Sequence, residues 1–156
     1  MQTLKINIPN GFKIKSFDES TGEVNFEPIP KDVKERIKTF EDVLEHHGYK
    51  RDVEDFELEC KKRAYTKDEI AYRKIKLIVE ALNEGWTPDW TNSNEYKYYP
   101  WFRLGSPSGG GFSSYDCAND CTHSGVGSRL CFKSRELAKY AGNQFEGLYK
   151  EYFVLE

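Results

Sequence analysis

The residues best suited to chemistry are four cysteines, Cys60, Cys117, Cys121 and Cys131, and the histidine that follows two of them, His123. In Cys117-x3-Cys121-x-His123-x7-Cys131 the donor atoms are those a structural zinc site needs, since four thiolate or imidazole ligands must converge on a tetrahedron. The spacing argues against it, because a CxxC or CxxxxC knuckle is lacking and there is no second pair. We expect no metal and no cofactor, and Cys131 reads as a small hydrophobe if its strand points inward. A thiol nucleophile is the other chemistry these residues offer. Cys117 or Cys121 would attack, His123 or His47 would take the proton, and Asp116 or Asp120 would orient the ring. Two cysteines and two aspartates in a Ser/Asn-rich loop can form such a triad on paper by chance, and no paired general acid and base falls on one element, so the sequence leans away from an enzyme while leaving a cysteine-dependent one as an alternative. The glycines at 109–111 and at 125 and 127 form neither GxxxxGK[ST] nor GxGxxG ahead of a helix, which disfavours those two kinds of nucleotide chemistry.

The stronger signal is aromatic. Trp86, Trp90, Tyr96, Tyr98, Tyr99, Trp101 and Phe102 crowd into one short segment. Exposed rings of this kind stack on the bases of single-stranded nucleic acid, and Lys97, Arg103 and Arg129 are the cations nearest to hand for phosphates. The candidate binding surface is therefore Trp86, Tyr96, Tyr98, Trp101, Arg103, Arg129 and Lys133. On a regular strand Lys97 faces away from Tyr96 and Tyr98, so the charge must come from Arg103, Arg129 and Lys133. Burial is the competing reading, in which Trp90, Trp101 and alternate tyrosines form the core of a sheet. Trp86-Thr-Pro-Asp-Trp90 reads as a compact turn with Asp89 accepting local backbone donors.

The elements that must position these residues follow from periodicity. In 1–30, Leu4, Ile6 and Ile8 alternate with polar residues. Pro9-Asn10-Gly11 turns, Phe12, Ile14 and Phe17 resume the period, and Val24 and Phe26 share a face, predicting two or three short antiparallel strands that end before Pro30. The region 31–85 is charged and helical. Thr39 with Asp42 caps a short helix from Phe40 to His47 that stops at Gly48, and Thr66 with Glu69 opens the best helix in the chain, with Ala71, Ile75, Ile78 and Leu82 as its stripe. The region 86–133 holds strands and loops: Tyr96–Leu104 as a strand with Pro100 at an edge or bulge, a turn at 106–111, a return over Phe112–Tyr115, and a short apolar strand at Arg129–Phe132. In 134–153, Ser134 caps a last helix with the stripe Leu137, Ala141, Phe145, Leu148 and Tyr152, in which Gly142 and Gly147 must be offset by packing. The order predicts a single α+β domain, an antiparallel sheet packed against the two main helices Thr66–Asn83 and Ser134–Tyr152.

Composition sets the limits. The 156 residues suffice for one core, and 10 Phe, 10 Tyr and 3 Trp supply it. A formal net charge of −3 excludes a uniformly basic nucleic-acid binder and leaves only a local patch. The N-terminus lacks an apolar leader and no stretch is long enough to span a bilayer, so the expectation is a cytoplasmic protein with no membrane association.

Two strings carry a family resemblance: Gly85-Trp-Thr-Pro-Asp-Trp-x-Asn-x-Asn-x-Tyr-Lys-Tyr-Tyr-Pro-Trp-Phe102 and Gly127-Ser-Arg-Leu-Cys-Phe-Lys-Ser-Arg-Glu-Leu-Ala-Lys-Tyr-Ala-Gly-x-Gln-Phe145. With Ile8-Pro-Asn-Gly-Phe12 and Phe26-Glu-Pro-Ile29, the chain resembles a family of small uncharacterised proteins encoded by gut Bacteroidales and their phages or prophages. The resemblance implies a bacterial or phage-infected host cytoplasm and an accessory role in binding nucleic acid or protein, and it carries over no catalytic residue. The expected function is a non-enzymatic binding or interaction module, a phage or prophage accessory protein with a protein partner. Single-stranded nucleic-acid binding through 86–103 is the alternative.

Overall fold

The computed structural model describes residues 5–28, 31–105 and 111–154. Leu4, Ile29, Pro30 and most of the turn expected at 106–111 lie outside them. The chain divides into two compact units, 1–32 and 33–156.

The first unit holds an antiparallel hairpin, β1 (Phe12–Phe17) paired with β2 (Val24–Pro28), with Phe12 opposite Pro28 and Phe17 opposite Val24. Its turn is built by Asp18, whose carboxylate accepts from the Ser20 backbone N–H at 2.8 Å and the Thr21 N–H at 3.2 Å. Ile6 and Ile8, expected in a strand of their own, lie outside the hairpin, which starts beyond the Pro9–Gly11 turn. Phe12 donates to the Pro9 carbonyl at 3.1 Å, and Gly11 at φ +82° supplies the left-handed backbone.

The second unit has the expected α+β architecture. Four helices precede its ribbon: α1 (Val33–Arg36), α2 (Phe40–His46), α3 (Val53–Lys62) and α4 (Lys67–Asn83). The Asp42 carboxylate accepts from the Thr39 backbone N–H at 2.8 Å, and Glu69 does the same for Thr66 at 2.8 Å. Each closes a reciprocal N-terminal cap as anticipated. The stripe of α4 is fully inside, with Ala71, Ile75, Ile78 and Leu82 all at 0 % exposure.

The strands β3 (Lys97–Arg103) and β4 (Ser113–Asp120) form an antiparallel ribbon, Lys97 opposite Asp120 and Arg103 opposite Ser113. β4 runs further than Phe112–Tyr115, so Asp116, Cys117 and Asp120 stand on a strand rather than in a loop. Pairing with β3 overrides the weak strand preference of Asn and Asp. The register shifts between Trp101 and Phe102, leaving Tyr115 as the extra residue of a bulge. Arg129–Phe132 is not a full strand: it touches the ribbon through one bridge, Tyr98 with Phe132, and is clamped by Asn83 instead. The Asn83 side chain donates to the Cys131 carbonyl at 2.9 Å and accepts from the Lys133 N–H at 3.0 Å.

The last helix is two helices, α5 (Arg135–Gln144) and α6 (Glu146–Phe153), meeting at Phe145, whose φ of −115° and ψ of 28° lie outside the helix region. The break re-phases the stripe. Leu137, Ala141 and Phe145 are buried as expected, but Leu148 is only half-buried and Tyr149 takes its place in the core at 3 % exposure. Gly142 accounts for the close fit of α5 on the ribbon, since a Cβ there would sit 3.0 Å from both Pro100 Cβ and Ser114 Oγ. No such neighbour lies within 4 Å of a Cβ at Gly147.

Candidate functional site

The period of two sorts the aromatic segment into core and surface. Tyr98, Pro100 and Phe102 point toward the helices, where Phe102 packs against Tyr149 at 4.8 Å between ring centroids. Lys97, Tyr99, Trp101 and Arg103 occupy the other face, with Asp120, Ala118 and Asp116 opposite the first three. Trp101 is 54 % exposed and Tyr115 68 %. The Arg103 guanidinium lies 5.4 Å from the Tyr115 ring and has no carboxylate partner among the described residues.

Lys97 is wholly buried and serves the fold. Its ammonium donates to the carbonyl oxygens of Asp89, Glu95 (2.8 Å) and Asn92 (3.3 Å), pairs with the Glu95 carboxylate at 3.2 Å and lies 5.3 Å from the Trp90 ring. The loop 86–95 is wrapped around this charge, so Lys97 cannot meet a phosphate. Within the loop, Asp89 accepts from the Thr91 N–H at 2.8 Å as expected. The hydroxyl and N–H of Thr91 hold the Asp89 carboxyl below the usual carboxylate range.

The other candidate residues are dispersed. Tyr96 is exposed and its ring stands 6.4 Å from that of Tyr98, which packs on the core. Trp86 is half-buried, Arg129 is exposed beyond the ribbon, and Lys133 donates to Glu84 at 3.1 Å. Trp101 and Arg103 share a face, while Tyr98 lies on the opposite one.

A different feature adjoins Trp101, the outer edge of β3, whereas the Arg103 guanidinium reaches toward Tyr115 on β4. Tyr98 exchanges both backbone hydrogen bonds with Phe132 (3.0 and 2.7 Å), so the N–H and C=O of Tyr98 point away from β4. Alternation then directs the carbonyls of Pro100 and Phe102 and the Phe102 N–H the same way. Pro100 has no N–H to present there, which is why a proline is tolerated in this strand. Past the Tyr98 bridge no strand pairs with this edge among the described residues. Alongside it runs a cavity of about 290 Å3 lined by Tyr99, Trp101, Phe102, Leu104, Val126 and Phe153. Leu104, at 56 % exposure, and Phe153, at 43 %, form its apolar rim. The sequence signal was the proline inside an aromatic strand; the bonding direction of Tyr98 needed the fold.

The cysteines do not assemble. Cys117 faces the core opposite Pro100 on β4, Cys131 is fully buried beside the Lys97 loop with its Sγ 3.6 Å from the Ser128 carbonyl, and His123 is exposed with Nδ1 3.2 Å from the Thr122 hydroxyl. Among the described residues no three His, Cys, Asp or Glu side chains come together as metal ligands. Burial pushes the Cys117 thiol up and the Cys131 thiol to about 11, so both are neutral at pH 7 and poor nucleophiles. His47 is engaged elsewhere, its Nε2 3.0 Å from the Leu77 carbonyl. No helix among the described residues is long and apolar enough to cross a membrane.

Compared with known proteins, the chain matches no family model, no curated protein and no solved structure.

Proposed function

We propose that the chain is a non-enzymatic protein-interaction module that receives an extended segment of a partner along the outer edge of β3. The observation that carries this reading is the edge itself: the Tyr98 N–H and C=O are turned away from β4 onto Phe132, which by strand alternation turns the Pro100 and Phe102 groups the same way, beside an apolar cavity. A strand laid there gains main-chain hydrogen bonds, while its alternate side chains enter the cavity or contact Trp101 and Leu104. Arg103, at the end of the same strand and without a carboxylate partner among the described residues, would have to swing from the Tyr115 ring to meet the segment, and its charge then favours an acidic side chain there. The module would act in a bacterial or phage-infected cytoplasm as an accessory protein of a phage or prophage.

Single-stranded nucleic acid is the second reading, favoured by the exposure of Tyr96, Trp101 and Tyr115. Against it, Asp120 stands opposite Lys97 on this face and Lys97 is sealed beneath its loop, while Arg135 and Lys139, the cations beside Trp101, are already taken up by Asp116 at 3.3 and 3.0 Å.

Selection from a random linear peptide library tests the first reading. It should enrich peptides that alternate apolar residues and carry an acid. Trp101→Ala should weaken their binding by about tenfold or more, and Arg103→Glu should turn the selected charge from acidic to basic. Lack of enrichment, or peptides indifferent to both substitutions, would contradict it. Quenching of the tryptophans by single-stranded oligonucleotides, lost with salt and with Trp101→Ala, would favour the second reading instead.

A further inference from the structure

On the far side of the second unit, α3, α4 and the loop at Tyr49–Arg51 enclose a cleft of about 290 Å3 that the protein-binding edge does not use. Its charged residues are Arg51, Arg63, Arg73 and Lys76 against Glu59 and Glu80, an excess of two positive charges (4 − 2) in a chain whose net charge is −3. The cations are not equivalent. Glu59 takes up two of them, accepting from Arg51 and, at 2.8 Å, from Arg63. Arg73 and Lys76 are half-buried on α4 and meet aromatic rings instead of anions. The Arg73 guanidinium stands 3.8 Å from the Tyr65 ring centroid and the Lys76 ammonium 5.1 Å from that of Tyr72. Neither has a carboxylate or carbonyl acceptor among the described residues. A guanidinium fixed by stacking and left with free N–H donors is pre-organised for a planar or tetrahedral oxyanion. Beneath the charges lie Phe56 and Cys60, both buried, and Leu77, an apolar floor for the body of a ligand.

We propose that this cleft binds a small phosphomonoester, with its phosphoryl group on Arg73 and Lys76 and its apolar or aromatic body toward Phe56 and Leu77. A phosphomonoester carries between one and a half and two negative charges at pH 7, matching the surplus of the cleft, whereas a single carboxylate would leave it half neutralised. Glu59 sets the affinity from within, because it competes with the ligand for Arg51 and Arg63.

Calorimetric titration with phenyl phosphate at low ionic strength tests the site, with phenol as the uncharged control. Saturable binding with Kd at or below ~1 mM is expected, with none for phenol. Arg73→Gln and Lys76→Gln should each weaken it by about tenfold. Glu59→Gln should tighten it several-fold by freeing two guanidinium groups, an effect in the opposite direction that loss of folding would not produce. Saturation absent up to ~10 mM, phenol binding as well as its phosphate, or an affinity indifferent to Arg73→Gln would each overturn the proposal.

Discussion

The two sides of β3 obey opposite rules although their residues alternate along one strand. Toward the helices, Pro100 and Phe102 meet α5 so closely that a methyl group at Gly142 would collide with the proline ring, and Tyr98 and Phe102 join the core. On the other face Lys97 is sealed beneath its loop, and from Trp101 to Leu104 the strand is left uncovered. A ribbon of two strands needs a hydrophobic backing to be stable, and α5 and α6 supply it on one side only. What remains on the other side contributes little to folding and is available for recognition.

Substitutions break or sharpen this contrast. The largest effect is expected at Lys97, where Lys97→Met keeps the side-chain length but removes the charge that three carbonyls and Glu95 surround. It leaves a buried polar set without its partner and should cost about 3–5 kcal/mol in denaturant unfolding, with the amides of loop 86–95 losing protection. Gly142→Val comes next, at about 2–3 kcal/mol, because branched carbons must enter space held by Pro100 and Ser114. Tyr149→Phe should run the other way. The Tyr149 hydroxyl is buried without a hydrogen-bond partner among the described residues, and burial pushes the phenol far up. Removing it should stabilise the protein by about 1 kcal/mol. Gly147→Ala, in the first turn of α6 with open space around it, should add up to about 0.5 kcal/mol through helix propensity. The smallest change in stability is expected for Trp101→Ala, within about 0.5 kcal/mol, since more than half of that side chain is already in water.

What could be read in advance divides along the same line. Local signals were sufficient where capping and periodicity act alone: Thr66 with Glu69 and the α4 stripe, Thr39 with Asp42, the cap at Ser134, and the alternation of Tyr96–Leu104. They were insufficient where a tertiary partner decides. α3 carries only Phe56 and Cys60 as buried residues in a charged run, so its stripe is too thin to stand out. Nothing local marks the break at Phe145, where the apolar period continues across the junction. The length of β4 depends on pairing with β3, and the burial of Lys97 reverses the usual exposure of lysine through carbonyls that converge only after the loop closes. The aromatic residues at 86–102 announced a special region, but sorting them into core and surface required knowing which face α5 covers.

The outward direction of the Phe102 amide is the central claim, and residue-resolved hydrogen exchange on the intact chain measures it most directly. The amides of Tyr99 and Trp101, which face β4, should exchange slowly, and Phe102, although it lies within the same strand next to Trp101, should exchange orders of magnitude faster. Addition of a peptide selected for binding should slow Phe102 and leave Tyr99 and Trp101 unchanged. A Phe102 amide as protected as that of Trp101 in the free protein would mean that the edge is already occupied, and would contradict the account.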